Sequence, residues 1–370
     1  MVSLIRYERM EIQTRVSFPN ITGEGVSLSA GMDKPIELEK LVEIVTQDVP
    51  HSAALRAGSR HALPRVVFVV GPTSSGKTDL GLRLAKEFGG EIVNADARQI
   101  YRDLSIGTGK PSGKRSRWKG HTAYMVDGVP HYLMDFLPPD KTYTVAQWRE
   151  AALRAVKGMV KRGALPIVVG GTGLYVSALI DNYRFPAVAP QPALRKAYEE
   201  KSLDELVRLL LVVDPGASGV VDLKNKRRVI RALEVVTYTG RRFSEQRTQG
   251  EPLVEAFQVG IHLPKEELFR RIDRSIESMV DEGLIDEARS IFRRGFKPNL
   301  PSMTSIGYQE IARYLRGEAS LEEALALVKK HTHQYTKRQW TWFKRDPRIR
   351  WASSEDEAVE MVGEWLGGSS

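Results

Sequence analysis

Residues 65–78 read RVVFVVGPTSSGKT. Val66–Val70, with Phe68 among them, form an apolar, mostly β-branched run of buried-strand length. The run stops at Gly71, and from there the chain reads G-x-x-x-x-G-K-T, a phosphate-binding loop pattern. Gly71 and Gly76 let the backbone of Pro72, Thr73, Ser74 and Ser75 curl so that successive N–H groups face one anion. Lys77 adds a mobile positive charge and Thr78 offers a hydroxyl to a magnesium ion (Mg2+). The helix opening at Lys77 brings its positive dipole end to the same point. A plain glycine-rich turn is the bland reading. Context weighs against it: an apolar strand precedes the loop, and Leu80, Leu82, Leu84, Ala85 and Phe88 come after it with helical spacing. A phosphate or diphosphate binds here, and the loop alone does not say which compound carries it.

Outward from this stretch, short apolar runs alternate with amphipathic helical patterns. Strands are expected at Glu91–Asn94, His131–Asp135, Pro166–Val169 and Gln258–Leu263, with helices near Lys77–Phe88, Thr144–Arg162 and Thr172–Ile180. This alternation predicts an α/β fold whose parallel sheet is covered by helices on both faces. Proline-rich Asp181–Pro192 marks a boundary, and Ala193 to about Thr239 reads as helices only. The expected organisation is an extension over 1–62 (one helical pattern near Ile36–Val45), a catalytic core of 63–182 with 250–352, a helical insertion over 183–249, and a tail over 353–370. Lys265–Phe343 reads as helix with a break at Gly295–Gly307.

The 370 residues are 42% hydrophobic and 27% charged, ordinary for a soluble globular protein, and their formal net charge of +9 favours a polyanionic partner. Absence of cysteine removes disulfides and thiolate metal sites and fits a reducing cytoplasm. The start, MVSLIRYERMEI, carries acids and no long apolar stretch, so neither a secretory signal nor a membrane span is expected.

Asp96 ends the strand EIVNAD, with Gln99 and Tyr101 just beyond, at the carboxyl edge where open parallel sheets bind ligands. There a carboxylate can take a proton or hold a metal, or simply cap a helix. The strand PIVV runs instead into Gly170 and Gly171, where a phosphate-loop kinase or ATPase would carry an aspartate for magnesium, and that counts against plain ATP hydrolysis. KNKRRVIRALE, 224–234, places Lys224, Arg228 and Arg231 along one helix side, an RNA contact or a solvated face. VKKHTHQYTKRQWTWFKRD, 328–346, interleaves basic residues with Tyr335, Trp340, Trp342 and Phe343, which suits unpaired RNA bases and their phosphates unless the aromatics are core. His331 and His333 are two apart and diverge on a helix, so they make no metal pair.

Taken in order, GPTSSGKT, NADARQIYRDLSIGTGKP, VPHYLMDFLPPDKTYTVAQW, PIVVGGTGLY, RRVIRALEV, SIGYQE and YTKRQWTWFKRD resemble the tRNA dimethylallyltransferase family over about Arg65–Trp351. The resemblance implies a P-loop nucleoside-triphosphate-hydrolase-like fold with a helical insertion. It also implies transfer of the dimethylallyl group of dimethylallyl diphosphate to N6 of the adenosine just 3′ of the anticodon, in tRNAs reading codons that begin with U. By the same resemblance, Gly71, Pro72, Thr73, Ser74, Ser75, Gly76, Lys77 and Thr78 hold the diphosphate. Thr73 donates to its bridging oxygen, Thr78 places Mg2+, and Asp96 is the general base. Asp96, Ala97, Arg98, Gln99, Thr172, Arg227, Arg228, Arg231, Gly307, Tyr308, Lys337, Arg338, Gln339 and Trp340 fall on positions that contact the tRNA anticodon stem-loop. A cytoplasmic monomer is expected.

The chain departs from the commonest family pattern at Ala97, Arg98, His333 and Ser275. The last stands where a diphosphate-binding arginine is usual, and Arg274 beside it, or Arg271 one turn before, is the candidate replacement; Arg274 is taken as the binder. The alternatives are prenylation of free AMP, ADP or ATP, a phosphate-loop kinase or NTPase, and a non-catalytic RNA-binding relative.

Overall fold

The computed structural model describes residues 63–186, 188–246 and 248–368, so the expected extension and its helical pattern near Ile36–Val45 lie outside the described residues. Strand β1 (Arg65–Val70) lies inside the main sheet. Val66, Phe68 and Val70 enter the core on one side, Val67 and Val69 on the other, and all are fully shielded. A strand buried on both faces must be apolar at every position, which is why its sequence reads as a continuous run.

In chain order there follow α1 (Lys77–Glu87), β2 (Gly90–Asn94), β3 (Lys114–Trp118), β4 (His121–Val126), β5 (Val129–Tyr132), α2 (Val145–Lys161), β6 (Leu165–Gly170) and α3 (Gly173–Ile180). Next come β7 (Tyr183–Arg184), α4 (Pro192–Glu199), α5 (Leu203–Val213), α6 (Lys226–Thr239), α7 (Phe243–Gln246) and β8 (Thr248–Gln249). The chain closes with β9 (Glu255–Ile261), α8 (Lys265–Asp281), α9 (Leu284–Arg293), α10 (Tyr308–Leu315), α11 (Leu321–Phe343), β10 (Ile349–Ala352) and α12 (Glu355–Gly367).

The main sheet runs β10-β9-β1-β6-β2-β5-β4-β3. It is parallel from β10 to β5 and antiparallel across β4 and β3. Because β6 inserts between β1 and β2, the chain leaves neighbouring strand ends in different directions, the topology that opens a ligand crevice. Val70 pairs with Gly170 and Asn94 with Val169, so the turns after β1, β2 and β6 begin level with one another. On one face α2 and α3 pack Trp148, Ala152, Val156, Met159 and Val176 against Val66, Phe68 and Val168. On the other, α1 and α12 bring Leu80, Leu84, Val359 and Val362 to Val67, Val69 and Val259. Thr144 and Gln147 start α2 with a reciprocal capping box.

The structure departs from the sequence expectations in places, the strand expected at Gln258–Leu263 being Glu255–Ile261. The strand placed at His131–Asp135 is Val129–Tyr132, and Asp135 lies past it at φ 53°, its carboxylate 2.5 Å from Lys110 Nζ. β3, KRSRW, is exposed at its first four positions and its one apolar side chain is Trp118, so the sequence alone predicts no strand there. The expected tail is mostly helix: Ser354 caps α12, which packs on the sheet.

Tyr183–Gln249 forms a compact unit of its own. Its core is Tyr198, Leu206, Leu210, Val229, Leu233 and Val236 from α4, α5 and α6. Ala193–Thr239 is helical as expected, and outside that span β7 pairs antiparallel with β8. Fully buried Glu234 is satisfied by Arg195 (2.8 and 2.9 Å), Arg231 (2.6 Å) and the Gln191 N–H (2.5 Å), as a buried carboxylate must be.

Candidate active site

The level strand ends put the phosphate loop, the turn after β2 and the turn after β6 into one cleft of about 720 Å³. Helices α8 and α11 complete its wall with Arg271, Ser275, Thr332, Tyr335, Arg338 and Gln339. An apolar strip of Ile272, Ile276, Met279, Leu284, Ile306 and Val328 lines the same space.

The loop turns through positive φ at Gly71 (145°), Ser74 (58°) and Gly76 (87°). Gly76 ends it at the start of α1, where no side chain caps the helix. The first-turn N–H groups therefore lack intrahelical acceptors, a ready anion site. Ser75 Oγ is buried with no hydrogen-bond partner among the described residues. A buried donor without an acceptor is costly, and a phosphate oxygen would relieve it. The Lys77 ammonium donates to the Pro72 carbonyl. Burial around that ammonium lowers it to about 8, against the opposing pull of the Asp96 carboxylate.

Asp96 stands two residues past β2. Its Oδ1 accepts the N–H groups of Arg98 (2.8 Å) and Gln99 (3.4 Å), while Oδ2 has no hydrogen-bond partner among the described residues. Thr172 Oγ1 accepts the Ala97 N–H at 3.0 Å and the Thr172 N–H donates to Ala95 O at 3.1 Å, tying the β2 turn to the β6 turn. Hence Asp96 is both the capping residue of its turn and a carboxylate open to the cleft.

Gln339, on α11, is nearly buried. It accepts the Thr73 N–H on Oε1 and donates from Nε2 to Gly171 O, both at 2.9 Å. A β-carbon on Gly171 would lie 2.3 Å from that Nε2, and one on Gly173 would lie 2.2 Å from Trp342. The glycines after β6 are thus the seat of α11. An aspartate side chain there would collide with it.

Several expected residues lie elsewhere or act otherwise. Arg271 and Arg274 are both exposed and both pair with Glu267, at 2.9 and 3.6 Å, but Arg271 is part of the cleft wall and Arg274 is absent from it. A helix turns about 100° per residue, so Arg274 faces away from the line shared by Arg271 and Ser275. Tyr308 is fully buried and donates to Glu287 Oε1 at 2.6 Å, making it core. The same Glu287 takes the N–H groups of Ser105, Ile106 and Gly107, pinning the turn that brings Thr108 and Gly109 to the cleft. Trp340 packs on Trp351 (4.9 Å between centroids) and His262, outside the cleft. Arg98 lines the cleft but is engaged by Pro301 O and Thr304 Oγ1, and Gln99 by Thr108 O and Gly109 O. Lys337 lies exposed, 5.8 Å from the Phe269 ring, and Gly307 opens on the cleft. In the Tyr183–Gln249 unit, Arg227 and Arg228 are exposed, while Arg231 is committed to Glu234 and Val188 O. Arg338, Tyr335 and Thr332, three positions of one helical face, are brought to the cleft as the sequence's basic-aromatic pattern implied only in part.

Comparison with known proteins agrees with this geometry. The IPP transferase family matches residues 99–346, and the isopentenyl transferase family matches residues 64–127. The tRNA dimethylallyltransferase of Pelotomaculum thermopropionicum is 39% identical over 298 residues, covering 79% of this chain and 92% of the relative. The chain belongs to the tRNA dimethylallyltransferase family. A second member, from Thermomicrobium roseum, is 41% identical over 290 residues, 77% of this chain and 85% of its own. Among solved structures, the tRNA isopentenylpyrophosphate transferase of Bacillus halodurans shares 33% identity at a TM-score of 0.59, with 82% of this chain and 96% of that one covered. The chain is accordingly a prenyltransferase on a phosphate-loop α/β scaffold.

Proposed function

We propose that the cleft transfers the dimethylallyl group of dimethylallyl diphosphate to N6 of the adenosine just 3′ of the anticodon in tRNAs reading codons that begin with U. One observation carries this reading: the uncapped phosphate loop and the open Asp96 Oδ2 share a cleft with an apolar strip, while the β6 end holds no carboxylate. Loop N–H groups, Ser75, Lys77 and Arg271 suit a diphosphate. The apolar strip suits a five-carbon tail, and Arg338 with Tyr335 suits a flipped base beside its phosphate.

The chemistry is a substitution at carbon. Adenine N6 forms a bond to the allylic carbon, the carbon–oxygen bond breaks, and its electron pair leaves with diphosphate. Asp96 accepts the hydrogen bond from the N6 amine and then its proton. Positive charge grows on the allylic carbon as negative charge grows on the bridging oxygen. Donors fixed around the phosphates therefore lower the barrier most. The Thr73 hydroxyl is assigned to the bridging oxygen. The donor set also fits a magnesium ion carried with the diphosphate. Among the described residues no group of three His, Asp or Glu side chains could hold a metal unaided. Thr78 offers a hydroxyl, and such an ion takes its remaining ligands from phosphates and water. Bound there, it would neutralise the leaving group. We place the enzyme in the cytoplasm as a monomer; no helix among the described residues is long and apolar enough to cross a membrane.

The test is to supply labelled dimethylallyl diphosphate with either a tRNA transcript or AMP. Label on tRNA supports the reading. Label on AMP alone would replace it with the free-nucleotide reaction.

A further inference from the structure

The Gln339 amide joins the phosphate loop to the turn after β6, beyond the ends of the paired strands that carry them. Thr73 opens the phosphate loop, Gly171 opens the turn after β6, and Gln339 reaches both from α11 at 2.9 Å. Its two partners admit one orientation only. Oxygen must face the N–H of Thr73 and nitrogen the carbonyl of Gly171, so each amide end is satisfied where burial would otherwise penalise it. Beyond the Lys77 bond to the Pro72 carbonyl the loop has few anchors here: among the described residues Thr73 has no other backbone bond outside regular elements, and Ser75 Oγ has no partner. Next to Gln339 on the same helix, Arg338 lines the cleft, and Tyr335 lines it one turn earlier. The helix that faces the nucleotide therefore also holds the loop that faces the diphosphate.

We propose that Gln339 is a positioning residue of the diphosphate cradle. Its amide fixes the Thr73 peptide so that the Thr73 hydroxyl and the N–H groups after it are aimed into the cleft before the ligand arrives. It touches no reacting atom. The inference rests on the diphosphate reading of the loop but not on prenyl transfer itself.

Gly171 provides an independent handle. Its φ is not in the left-handed region, so alanine is allowed by the backbone, yet the added carbon would displace Gln339 Nε2, 2.3 Å away. The next nearest atom, Gly71 O at 3.4 Å, leaves room. Gly171→Ala should thus break the bridge without altering Gln339, and Gln339→Ala should make Gly171→Ala harmless.

The experiment is a double-mutant cycle on the full chain, reading equilibrium binding of inorganic diphosphate with magnesium, and tRNA binding alongside. A lost charge-assisted contact is worth roughly a tenfold change. Each single variant should weaken diphosphate binding about tenfold. The double variant should match the singles instead of reaching about a hundredfold, because residues sharing one bridge are not additive. tRNA affinity should change less than about threefold. Additive losses would overturn the proposal, as would tighter diphosphate binding by Gln339→Ala, which would make the amide a competitor for the Thr73 N–H. So would a loss confined to tRNA, which would make Gln339 an RNA contact. If the unsubstituted protein bound diphosphate but transferred no prenyl group, the function reading would fail and this cycle would still be read.

Discussion

A β-carbon on Gly170 would lie 2.2 Å from the carbonyl carbon of Ala95. The end of β6 and the turn after β2 are in backbone contact, and that contact places Asp96 beside the phosphate loop. The position is closed to any side chain, including the aspartate of a nucleoside-triphosphate hydrolase. Gly170→Ala should destabilise the fold by about 3 kcal/mol or more, the upper end for overpacking, since backbone cannot yield as a flexible side chain does. Urea unfolding checks this. A Gly170→Asp protein that folds stably and hydrolyses ATP would contradict the account.

Arg271 and Arg274 should separate cleanly. Both guanidinium groups pair with Glu267, Arg271 at 2.9 Å and Arg274 at 3.6 Å, but only Arg271 lines the cleft. Arg271→Ala should raise the KM for dimethylallyl diphosphate about ten- to hundredfold, the worth of a charged hydrogen bond. Arg274→Ala should stay within about twofold. Steady-state kinetics on both variants decides it, and the reverse ranking would restore Arg274.

Lys77 gives the reaction an alkaline limb. Burial lowers its ammonium to about 8. The free protein therefore loses that charge as pH rises through about 8, and diphosphate requires it. The ratio kcat/KM for dimethylallyl diphosphate should fall by about tenfold per pH unit beyond that point. Bound diphosphate favours the charged form, so kcat should hold to higher pH. A flat kcat/KM profile to about pH 10 would remove Lys77 from diphosphate capture.

Asp96→Ala should lower turnover about a hundred- to ten-thousandfold, the usual worth of a general base. Filter binding should show tRNA affinity retained, because in the proposed reaction Oδ2 would meet only the amine. Unchanged turnover would confine Asp96 to capping its own turn.

Arg338→Ala should weaken tRNA binding and reduce the slope of log affinity against log salt by about 0.7–0.9, one phosphate contact. Affinity measured across a salt series checks this. An unchanged slope would make the α11 face structural.

Much of this was legible in the chain because the signals are local. RVVFVV alternates faces in a doubly buried strand, GPTSSGKT carries its own backbone requirement, and Asp96 lies two residues past a strand end. Other features hide from local reading. β3 is polar at every position but Trp118 because it is an exposed edge; the terminal helix, by contrast, is marked by Ser354 and by Ala358, Val359, Val362 and Trp365 at helical spacing. Trp340 looks like a base-stacking aromatic in sequence and Tyr308 falls on a tRNA-contact position by resemblance, yet Trp340 packs on Trp351 and Tyr308 is buried against Glu287, contacts that no single motif contains. The Thr73–Gln339 bond spans 266 positions, so no spacing rule could reveal it. Choosing Arg271 over Arg274 needed only the phase of α8, which became visible once the cleft showed which side of the helix it uses.

The central claim is that the loop cradles a leaving group and the broken bond is carbon–oxygen. Dimethylallyl diphosphate carrying heavy oxygen at the bridging position, incubated with tRNA and the enzyme, tests it by mass spectrometry of both products. The account predicts tRNA gaining one dimethylallyl group per diphosphate released, with all heavy oxygen retained in that diphosphate. Heavy oxygen left on a prenyl alcohol, or diphosphate released with no gain on tRNA, would contradict it.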